Sequence, residues 1–221
     1  MLKKLIGKFI VKSSGGATLL RVRDLLRTNG YLRETGWFES AISRMPVDHE
    51  LCPLPWYTYG AIEFLSERVM PEMLVFEYGS GNSTLWWSDR VSRVISVEHD
   101  EKWFYSMESK MHANVEYFLL RLDQQDNSHL YVEKISQYKG CFDIIVIDGR
   151  RRVECARNSV DALKNDGVIV WDNSDRDKDA EGYRFLGDKG FRQLNFHGFG
   201  PINAYGWCTS VFYRKDNCFG I

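Results

Sequence analysis

The chain has 221 residues, of which 44% are hydrophobic and 27% are charged, and this composition is that of a globular protein rather than a disordered or fibrous one. Its length fits one α/β domain with extensions, or one domain with a small cap. The formal net charge of -1 gives no general reason to expect a nucleic-acid partner, and no apolar run approaches the ~18 residues of a membrane-spanning helix.

The first twelve residues, MLKKLIGKFIVK, place lysines among apolar residues at helical spacing. They lack the apolar core and cleavage site of a signal peptide. The five cysteines, an odd number without a C-x-x-C pair, indicate reduced thiols. Both features predict a cytoplasmic protein. Residues 1–12 could contact an anionic membrane surface peripherally, or could form a terminal helix packed on their own domain.

The chain up to residue 70 is predicted to form a helical cap, ahead of a larger domain over residues 71–221. Helical patterns cover residues 17–27 and 36–45. The segment PLPWYTY then leads into a third predicted helix over residues 60–70, which Pro71 ends.

Strands and helices alternate through the rest of the chain. Short apolar runs predict buried strands, and one of them, FDIIVI, is typical of a strand buried on both faces. The predicted strands cover 73–76, 94–97, 115–120, 142–147 and 168–171, with helices over 83–91, 102–111, 158–164, 179–188 and the later part of 126–138. Residues 192–196 and 209–213 predict an antiparallel end pair. The fold class is therefore α/β: a doubly wound, mostly parallel Rossmann-like sheet with an antiparallel end strand and an N-terminal helical cap.

A glycine turn follows the first predicted strand. Glu77-Tyr78-Gly79-Ser80-Gly81 leads into a helical pattern, and glycine permits both a tight turn and close approach of a ligand to the backbone. Glu98 ends the second strand, where a nucleotide-binding β-α-β unit places the acid that binds ribose. Thr84 stands where a dinucleotide fingerprint has its third glycine, so no pyrophosphate is indicated. The alternative is an ordinary βα turn with a helix cap.

Polar residues also follow the later strands, and ligands of open α/β sheets bind beyond such strand ends. Asp123 follows the third strand and could approach an adenine. Asp148 follows the fourth strand, and Asp172 and Asn173 follow the fifth. Three oxygen ligands of this kind suit Mg²⁺. The two aspartates could instead cap helices or pair with the arginine run at residues 150–152.

The segments PLPWYTY, VFEYGSGNST, VISVEHD, IVIDGR, VWDNSDR and GFGPINAYGWCTSVFYR together resemble class I S-adenosylmethionine-dependent methyltransferases, of a group associated with bacterial surface-polysaccharide gene clusters. The resemblance covers about residues 36–214. It implies S-adenosyl-L-methionine as the cofactor and methylation of oxygen on a small or carbohydrate-like acceptor. The residues that it implies for cofactor binding are Tyr57, Glu77, Gly79, Ser80, Gly81, Asn82, Ser83, Glu98, His99 and Asp148.

A partial similarity to catechol and caffeoyl-CoA O-methyltransferases implies Mg²⁺ held by Asp148, Asp172 and Asn173. Those families place a lysine where this chain has Arg151, and arginine does not deprotonate in proteins. The candidate catalytic residues are thus Asp148 as base or metal ligand, Asp172 and Asn173 as acceptor-orienting groups, and Arg151 within the arginine run as an anion-recognising group. Pairing of the aspartates with arginine would make a metal unnecessary.

The polar-aromatic loop over residues 198–207 could stack a sugar or aromatic acceptor, or could be a long hairpin connection. Two other functions stay open. One is an NAD-dependent oxidoreductase or epimerase, against which the missing third glycine argues. The other is a non-catalytic nucleotide-binding module, against which the clustered acids argue. The sequence does not indicate the oligomeric state.

Overall fold

The structure is a computed structural model that describes residues 14–26, 30–123 and 128–221. The strands in these ranges are β1 (Leu74–Tyr78), β2 (Arg93–Glu98), β3 (Val115–Leu119), β4 (Phe142–Ile147), β5 (Leu163–Asp172), β6 (Arg192–Gly198) and β7 (Trp207–Tyr213). They form one sheet in the order β3-β2-β1-β4-β5-β7-β6. Strands β1 to β5 pair in parallel, whereas β7 is antiparallel to both β5 and β6. The predicted fold class, including the antiparallel end pair, is confirmed.

Helices precede the sheet and connect its strands. They are α1 (Ser14–Leu25), α2 (Tyr31–Glu34), α3 (Trp37–Ser43), α4 (Tyr59–Ser66), α5 (Asn82–Ser88), α6 (Glu101–Glu108), α7 (Leu130–Glu133), α8 (Arg152–Ser159) and α9 (Ala180–Asp188), with 3-10 turns at Lys134–Gln137 and Asp177–Asp179. None of the helices in the described ranges combines the length and apolar character of a membrane span.

The sheet separates two apolar layers, and β4 shows why. All six of its residues are buried, and alternate side chains point to opposite faces. Ile145 and Ile147 pack in the layer that also contains buried side chains of α7, α8 and α9. Ile144 and Val146 pack in the other layer, with α4 and α5. Burial on both faces explains the apolar run over residues 144–147 of this strand.

One predicted helix is wrong. The sequence favoured residues 158–164, but the helix is α8, and β5 begins already at Leu163, which pairs with Phe142. Apart from Arg152, the buried face of α8 is made by small side chains, among them Cys155 and Ala156, so it lacks a strong apolar periodicity. All five cysteines of the chain are free thiols.

One further predicted helix ends earlier than expected, and two predicted segments fall wholly or partly outside the described residues. The helix predicted over residues 60–70 is α4, which already ends at Ser66. The basic amphipathic segment over residues 1–12 lies outside the described residues, as does the start of the segment predicted over 126–138.

Candidate functional site

The carboxyl ends of β1 and β4 meet in the middle of the sheet, where the strand order reverses. From β1 the sheet extends to β2 on one side and from β4 to β5 on the other. Gly79 has a φ of 96°, and a Cβ there would lie 3.2 Å from the Cα of Gly149. The two loops approach closely because glycine stands in both. In open α/β sheets a ligand crevice forms at such a switch point.

Glu77 lies behind the glycine turn and is fully buried. Its Oε2 accepts hydrogen bonds from Thr84 Oγ1 at 2.5 Å and from Ser96 Oγ at 3.2 Å. Thr84 Oγ1 in turn accepts from the Gly81 N–H at 3.1 Å. Burial raises the pKa of Glu77 to about 7, against the lowering effect of these hydroxyl groups. Glu77 therefore positions the turn from beneath, through Thr84.

Glu98, at the end of β2, lies beside the turn and is 4% exposed. Its Oε1 accepts from the backbone N–H groups of His99 and Asp100 at 2.7 and 2.8 Å, and its Oε2 accepts from Ser80 Oγ at 2.8 Å. Burial alone would raise its pKa, but the His99 side chain, whose Nδ1 lies 2.8 Å from Oε1, and these hydrogen bonds outweigh burial and leave the pKa below its ordinary value. Glu98 is thus an anchored carboxylate, and Oε2 retains a lone pair for a further donor.

A first cleft, which we call the glycine-turn cleft, runs along the turn and has a volume of about 110 Å³. Its lining residues are Arg44, Met45, Pro46, Trp56, Ser80, Gly81, Asn82, Ser83, Trp103 and Asp148. Trp103 Nε1 donates to the Ser80 carbonyl at 2.9 Å, and Asn82 Nδ2 donates to the Pro46 carbonyl at 2.7 Å. These bonds fix the turn between α6 and the loop that follows α3.

A second cleft, the strand-end cleft, lies beyond β4 and β5 and has a volume of about 210 Å³. Its lining residues are Trp56, Asp148, Asp172, Asn173, Arg176, Asn203 and Tyr205. Trp56 and Asp148 line both clefts. A ligand in the glycine-turn cleft and a second ligand in the strand-end cleft would therefore meet at Asp148.

Arg152 is the cation that lies between the strand-end acids, and its side chain is only 7% exposed. Its Nη2 donates to Asp148 Oδ1 at 2.8 Å, its Nε donates to the Gly149 carbonyl at 3.0 Å, and its Nη1 donates to the Asp172 carbonyl. Arg151 instead pairs with Glu154 and donates to the Ser128 carbonyl at 2.8 Å. The guanidinium beside Asp148 is thus that of Arg152.

Asp172 is 3% exposed and accepts two hydrogen bonds on Oδ1, from Trp207 Nε1 at 2.9 Å and from Thr209 Oγ1 at 2.6 Å. Burial raises its pKa to about 8, and the negative charge of Asp148 adds to this effect. Burial also raises the pKa of Asp148, although Arg152 opposes the shift. Ionising both acids of one buried site is unfavourable, so one of the pair keeps its proton when the other is ionised.

The residues predicted for Mg²⁺ do not fit that ion. Asp148 Oδ1 is paired with a guanidinium, and Asp172 Oδ1 already accepts two hydrogen bonds. Asn173 Oδ1 also faces Arg152, at 3.5 Å from Nη2. In the ranges 14–26, 30–123 and 128–221, no group of three or more His, Cys, Asp or Glu side chains is arranged to hold a metal. Arg152 supplies the positive charge at this point.

Replacing Asp172 by asparagine should change how stability depends on pH. An ordinary aspartate has a pKa of 3.8, and Asp172 has one of about 8 when folded. Because the unfolded chain then ionises first, the folded state loses stability as the pH rises from about 4 towards 8. Between pH 5.5 and pH 8, the wild-type protein should lose about 3 kcal/mol more than Asp172→Asn does.

Chemical denaturation at several pH values measures this difference, since asparagine keeps the oxygen that accepts from Trp207 and Thr209. Asp175→Asn, on the exposed part of the same loop, is the matched control and should follow the wild-type pH profile. Parallel profiles for Asp172→Asn and the wild type would show that Asp172 is ionised throughout.

The structure brings most of the predicted site residues together but separates a few. Ser80, Gly81, Asn82, Ser83 and Asp148 line the glycine-turn cleft. His99 lines an adjoining cleft with Asp123, which pairs with Arg121. Tyr57 is fully buried, and its hydroxyl lies 3.4 Å from Trp87 Nε1.

Several contributors to the site carried no recognisable sequence signal. Trp103 and Thr209 reach it from α6 and from β7. Trp207, in contrast, belongs to the polar-aromatic loop that the sequence indicated, and it donates to Asp172. Tyr117 joins it across the sheet, with its hydroxyl 2.7 Å from Ser80 Oγ.

Solved structures share this architecture. A methyltransferase from Geobacter sulfurreducens is 16% identical, covers 90% of this chain and 96% of its own, and has a TM-score of 0.51. Precorrin 8w decarboxylase from Methanobacterium thermoautotrophicum is 17% identical, with coverages of 78% and 97% and a TM-score of 0.54. Spermidine synthase from Thermotoga maritima is 19% identical, with coverages of 71% and 61% and a TM-score of 0.50.

No protein-family model and no curated protein matches the chain. The structural likeness establishes the Rossmann-like fold found in methyltransferases. Since proteins with different reactions share that fold, the activity has to be argued from the site.

Proposed function

We propose that the protein is an S-adenosylmethionine-dependent methyltransferase that methylates an oxygen atom of a small or carbohydrate-like acceptor. The observation that carries the proposal is the shared wall of the two clefts. Asp148 and Trp56 line both the glycine-turn cleft and the strand-end cleft. A methyl donor in the first cleft and a hydroxyl in the second would then be neighbours, and such proximity supplies much of the acceleration of a bimolecular transfer.

The groups that such a donor needs lie in the glycine-turn cleft and beside it, where Glu98 binds the lining residue Ser80. Glu98 Oε2 would accept hydrogen bonds from the ribose hydroxyls, while Ser80, Asn82 and Ser83 would surround the amino acid part. Trp103 would support this part through its bond to the Ser80 carbonyl. When bound, the cofactor supplies an electrophilic methyl group on a sulfonium centre.

In the strand-end cleft, Asp148 would hold the acceptor hydroxyl and take its proton. Asp148 Oδ1 is bonded to Arg152, whereas Oδ2 makes no hydrogen bond to the residues that the structure describes. A carboxylate whose pKa is raised is a better base than an ordinary aspartate. Asp172, fixed by Trp207 and Thr209, would keep the floor of the cleft in place.

The two other functions have less support. A dinucleotide would need close approach at the third glycine position, but Thr84 there is committed to Glu77 and to the Gly81 N–H. A non-catalytic module would not need a carboxylate whose free oxygen lies between two clefts. The sequence resembles a group of methyltransferases associated with polysaccharide gene clusters, and this resemblance is consistent with a carbohydrate-like acceptor.

Replacing Glu98 should weaken cofactor binding. Loss of charge-assisted hydrogen bonds predicts that Glu98→Ala binds S-adenosylhomocysteine about 30-fold more weakly, which corresponds to roughly 2 kcal/mol. Glu98→Gln keeps the acceptor for the His99 and Asp100 N–H groups and should lose less. Titration calorimetry measures both variants, after melting curves have shown that they fold.

The matched control for this experiment is Glu108→Ala, which removes an exposed carboxylate from the end of α6. It should bind with wild-type affinity. If folded Glu98→Ala also binds with wild-type affinity, the ribose assignment is wrong.

Transfer of a labelled methyl group tests the proposed function directly. The wild-type protein is incubated with methyl-labelled S-adenosylmethionine and a panel of hydroxylated ring compounds, including sugars, sugar phosphates and phenols. Label should appear in an ether that resists mild base. Binding of nicotinamide dinucleotides in place of S-adenosylhomocysteine would contradict the proposal.

A further inference from the structure

A third cleft adjoins the strand-end cleft and is rich in positive charge. It lies between the start of α8 and the loop after β5, and it has a volume of about 270 Å³. Five of its lining residues are basic, namely Arg150, Arg151, Arg152, Arg176 and Lys178. We call it the basic cleft. Its composition is unusual in a chain whose formal net charge is only -1.

Three of these cations form no ion pair with a carboxylate among the described residues. Arg152 and Arg151 are used by Asp148 and Glu154. In contrast, the side chains of Arg176 and Lys178 are exposed and form no hydrogen bond or ion pair with other described residues. Arg150 is exposed and has only a 3.4 Å contact from its Nε to His99 Nε2.

Apart from Glu154, which pairs with Arg151, and Asp148, whose carboxylate interacts with the charges of Arg152 and Arg176, the nearby acids do not offset the charge of this cleft. Asp179 is the other acidic lining residue, and it is 6% exposed. Asp175 and Asp177 alternate with Arg176 and Lys178 along the loop, but they line neither the basic cleft nor the strand-end cleft. Arg176 and Lys178 therefore line the clefts, whereas Asp175 and Asp177 do not.

Arg176 lines both the strand-end cleft and the basic cleft. One ligand can therefore occupy both of them. The strand-end cleft is also lined by two exposed aromatic rings, Trp56 at 43% and Tyr205 at 65% exposure. Exposed rings of this kind bind the apolar face of a ring compound, while Arg and Lys bind phosphate oxygens.

We propose that the acceptor is a phosphorylated ring compound of the sugar phosphate or sugar diphosphate class. Its hydroxylated ring lies in the strand-end cleft beside Trp56 and Tyr205, and its phosphate binds Arg176, Lys178 and Arg150 in the basic cleft. Three unpaired cations match the two or more negative charges of a phosphate better than the single charge of a carboxylate. This inference rests on the proposed function, because it names the acceptor of the same site.

Binding of α-D-glucose 1-phosphate, compared with D-glucose and with inorganic phosphate, tests the inference. Each compound is titrated calorimetrically at constant ionic strength into the protein saturated with S-adenosylhomocysteine. Glucose 1-phosphate should bind at least about tenfold more tightly than D-glucose, as charge-assisted hydrogen bonds to phosphate predict. It should also bind more tightly than inorganic phosphate, because it adds the ring contacts.

Variants of the unpaired cations locate the phosphate. Arg176→Gln and Lys178→Gln should each weaken binding of glucose 1-phosphate about fivefold or more, and Arg176→Lys should retain part of the affinity because it keeps the charge. Arg192→Gln and Lys215→Gln remove exposed cations outside the three clefts and are the matched controls. The controls should bind with wild-type affinity.

Equal affinity for D-glucose and glucose 1-phosphate would overturn the inference, and so would equal losses in the control variants. The same samples separate this failure from that of the proposed function. If S-adenosylhomocysteine does not bind, the methyltransferase proposal fails together with the inference. If it binds and no phosphate preference is found, the phosphorylated acceptor alone is wrong.

Discussion

Arg152→Met should destabilise the protein by about 3 kcal/mol near pH 8, since it leaves the Asp148 carboxylate without its guanidinium partner in a largely buried site. Methionine roughly conserves the volume of the side chain, so the loss reports charge and hydrogen bonding rather than a cavity. The variant also leaves the carbonyl groups of Gly149 and Asp172 without their donor. For a chain of this length, a loss of this size lowers the melting temperature by on the order of 10 °C.

Arg151→Met is the matched control because it removes the same side chain from the adjacent position. Arg151 pairs with Glu154, and both side chains are about a third or more exposed, so the variant should lose less than about 1 kcal/mol. Adding Asp148→Asn to Arg152→Met should recover part of the stability, because the unpaired charge is removed. If Arg151→Met loses as much as Arg152→Met, the assignment of Arg152 as the structural cation is wrong.

The contrast between these neighbouring arginines shows a feature of the site that could not be predicted from the sequence. The run at residues 150–152 was predicted to neutralise the acids, but the member that does so depends on the start of α8. Arg151 has a φ of 51° and precedes the helix, which turns its side chain towards Glu154. Arg152 is the first helical residue and lies under Asp148 and Asp172. The positive φ of Arg151 accompanies the different directions of the two arginine side chains. The residue types in this part of the sequence did not predict that φ.

The sheet was more predictable than the site because it depends on local apolar runs. Strands β1, β2 and β4 are short, continuous and buried on both faces, so the sequence predicted each of them to within two residues. The site combines residues far apart in the chain. Asp172 meets Trp207 and Thr209 only because β7 inserts beside β5 in antiparallel register. A sequence pattern has no fixed spacing for such a contact.

The glycine turn was more predictable than the rest of the site but less predictable than the sheet. Its glycines and Glu98 were visible as a motif, since their spacing follows from one β-α-β unit. Their supports were not visible. Thr84 and Ser96 bind the buried Glu77, and Tyr117 binds Ser80 across the sheet. Hydroxyl groups of this kind are common in any chain, and only the fold selects those that matter.

Asp148→Asn should lower the rate of methyl transfer about 100-fold or more, while leaving the affinity for S-adenosylhomocysteine within a few-fold of the wild type. General-base catalysis typically contributes 10²–10⁴ in rate. Asparagine keeps an oxygen that can accept from Arg152 Nη2, so the local geometry is conserved. The change removes only the ability of the free oxygen to take a proton from the acceptor hydroxyl.

The pH dependence of the rate distinguishes a base from a merely structural carboxylate. Burial raises the pKa of Asp148 above its ordinary value of 3.8, so the rate of the wild-type protein should rise with pH through an acidic limb shifted upwards by the same effect. In Asp148→Asn that limb should disappear. Asp172→Asn should keep the limb close to its wild-type position, because Asp172, with a pKa of about 8, is already neutral where Asp148 loses its proton.

The measurement is single-turnover methyl transfer to the acceptor that the wild-type protein uses, from pH 5 to pH 9, on variants whose melting curves show that they are folded. A rate for Asp148→Asn within threefold of the wild type would remove Asp148 as the base. An unchanged rate combined with an intact acidic limb would assign that limb to Glu77, whose pKa of about 7 lies within the pH interval measured. Glu77 touches neither cleft, so its titration would act by loosening Thr84 and the glycine turn and would weaken cofactor affinity in parallel. A fall in rate at constant affinity would therefore place the proton transfer on Asp148.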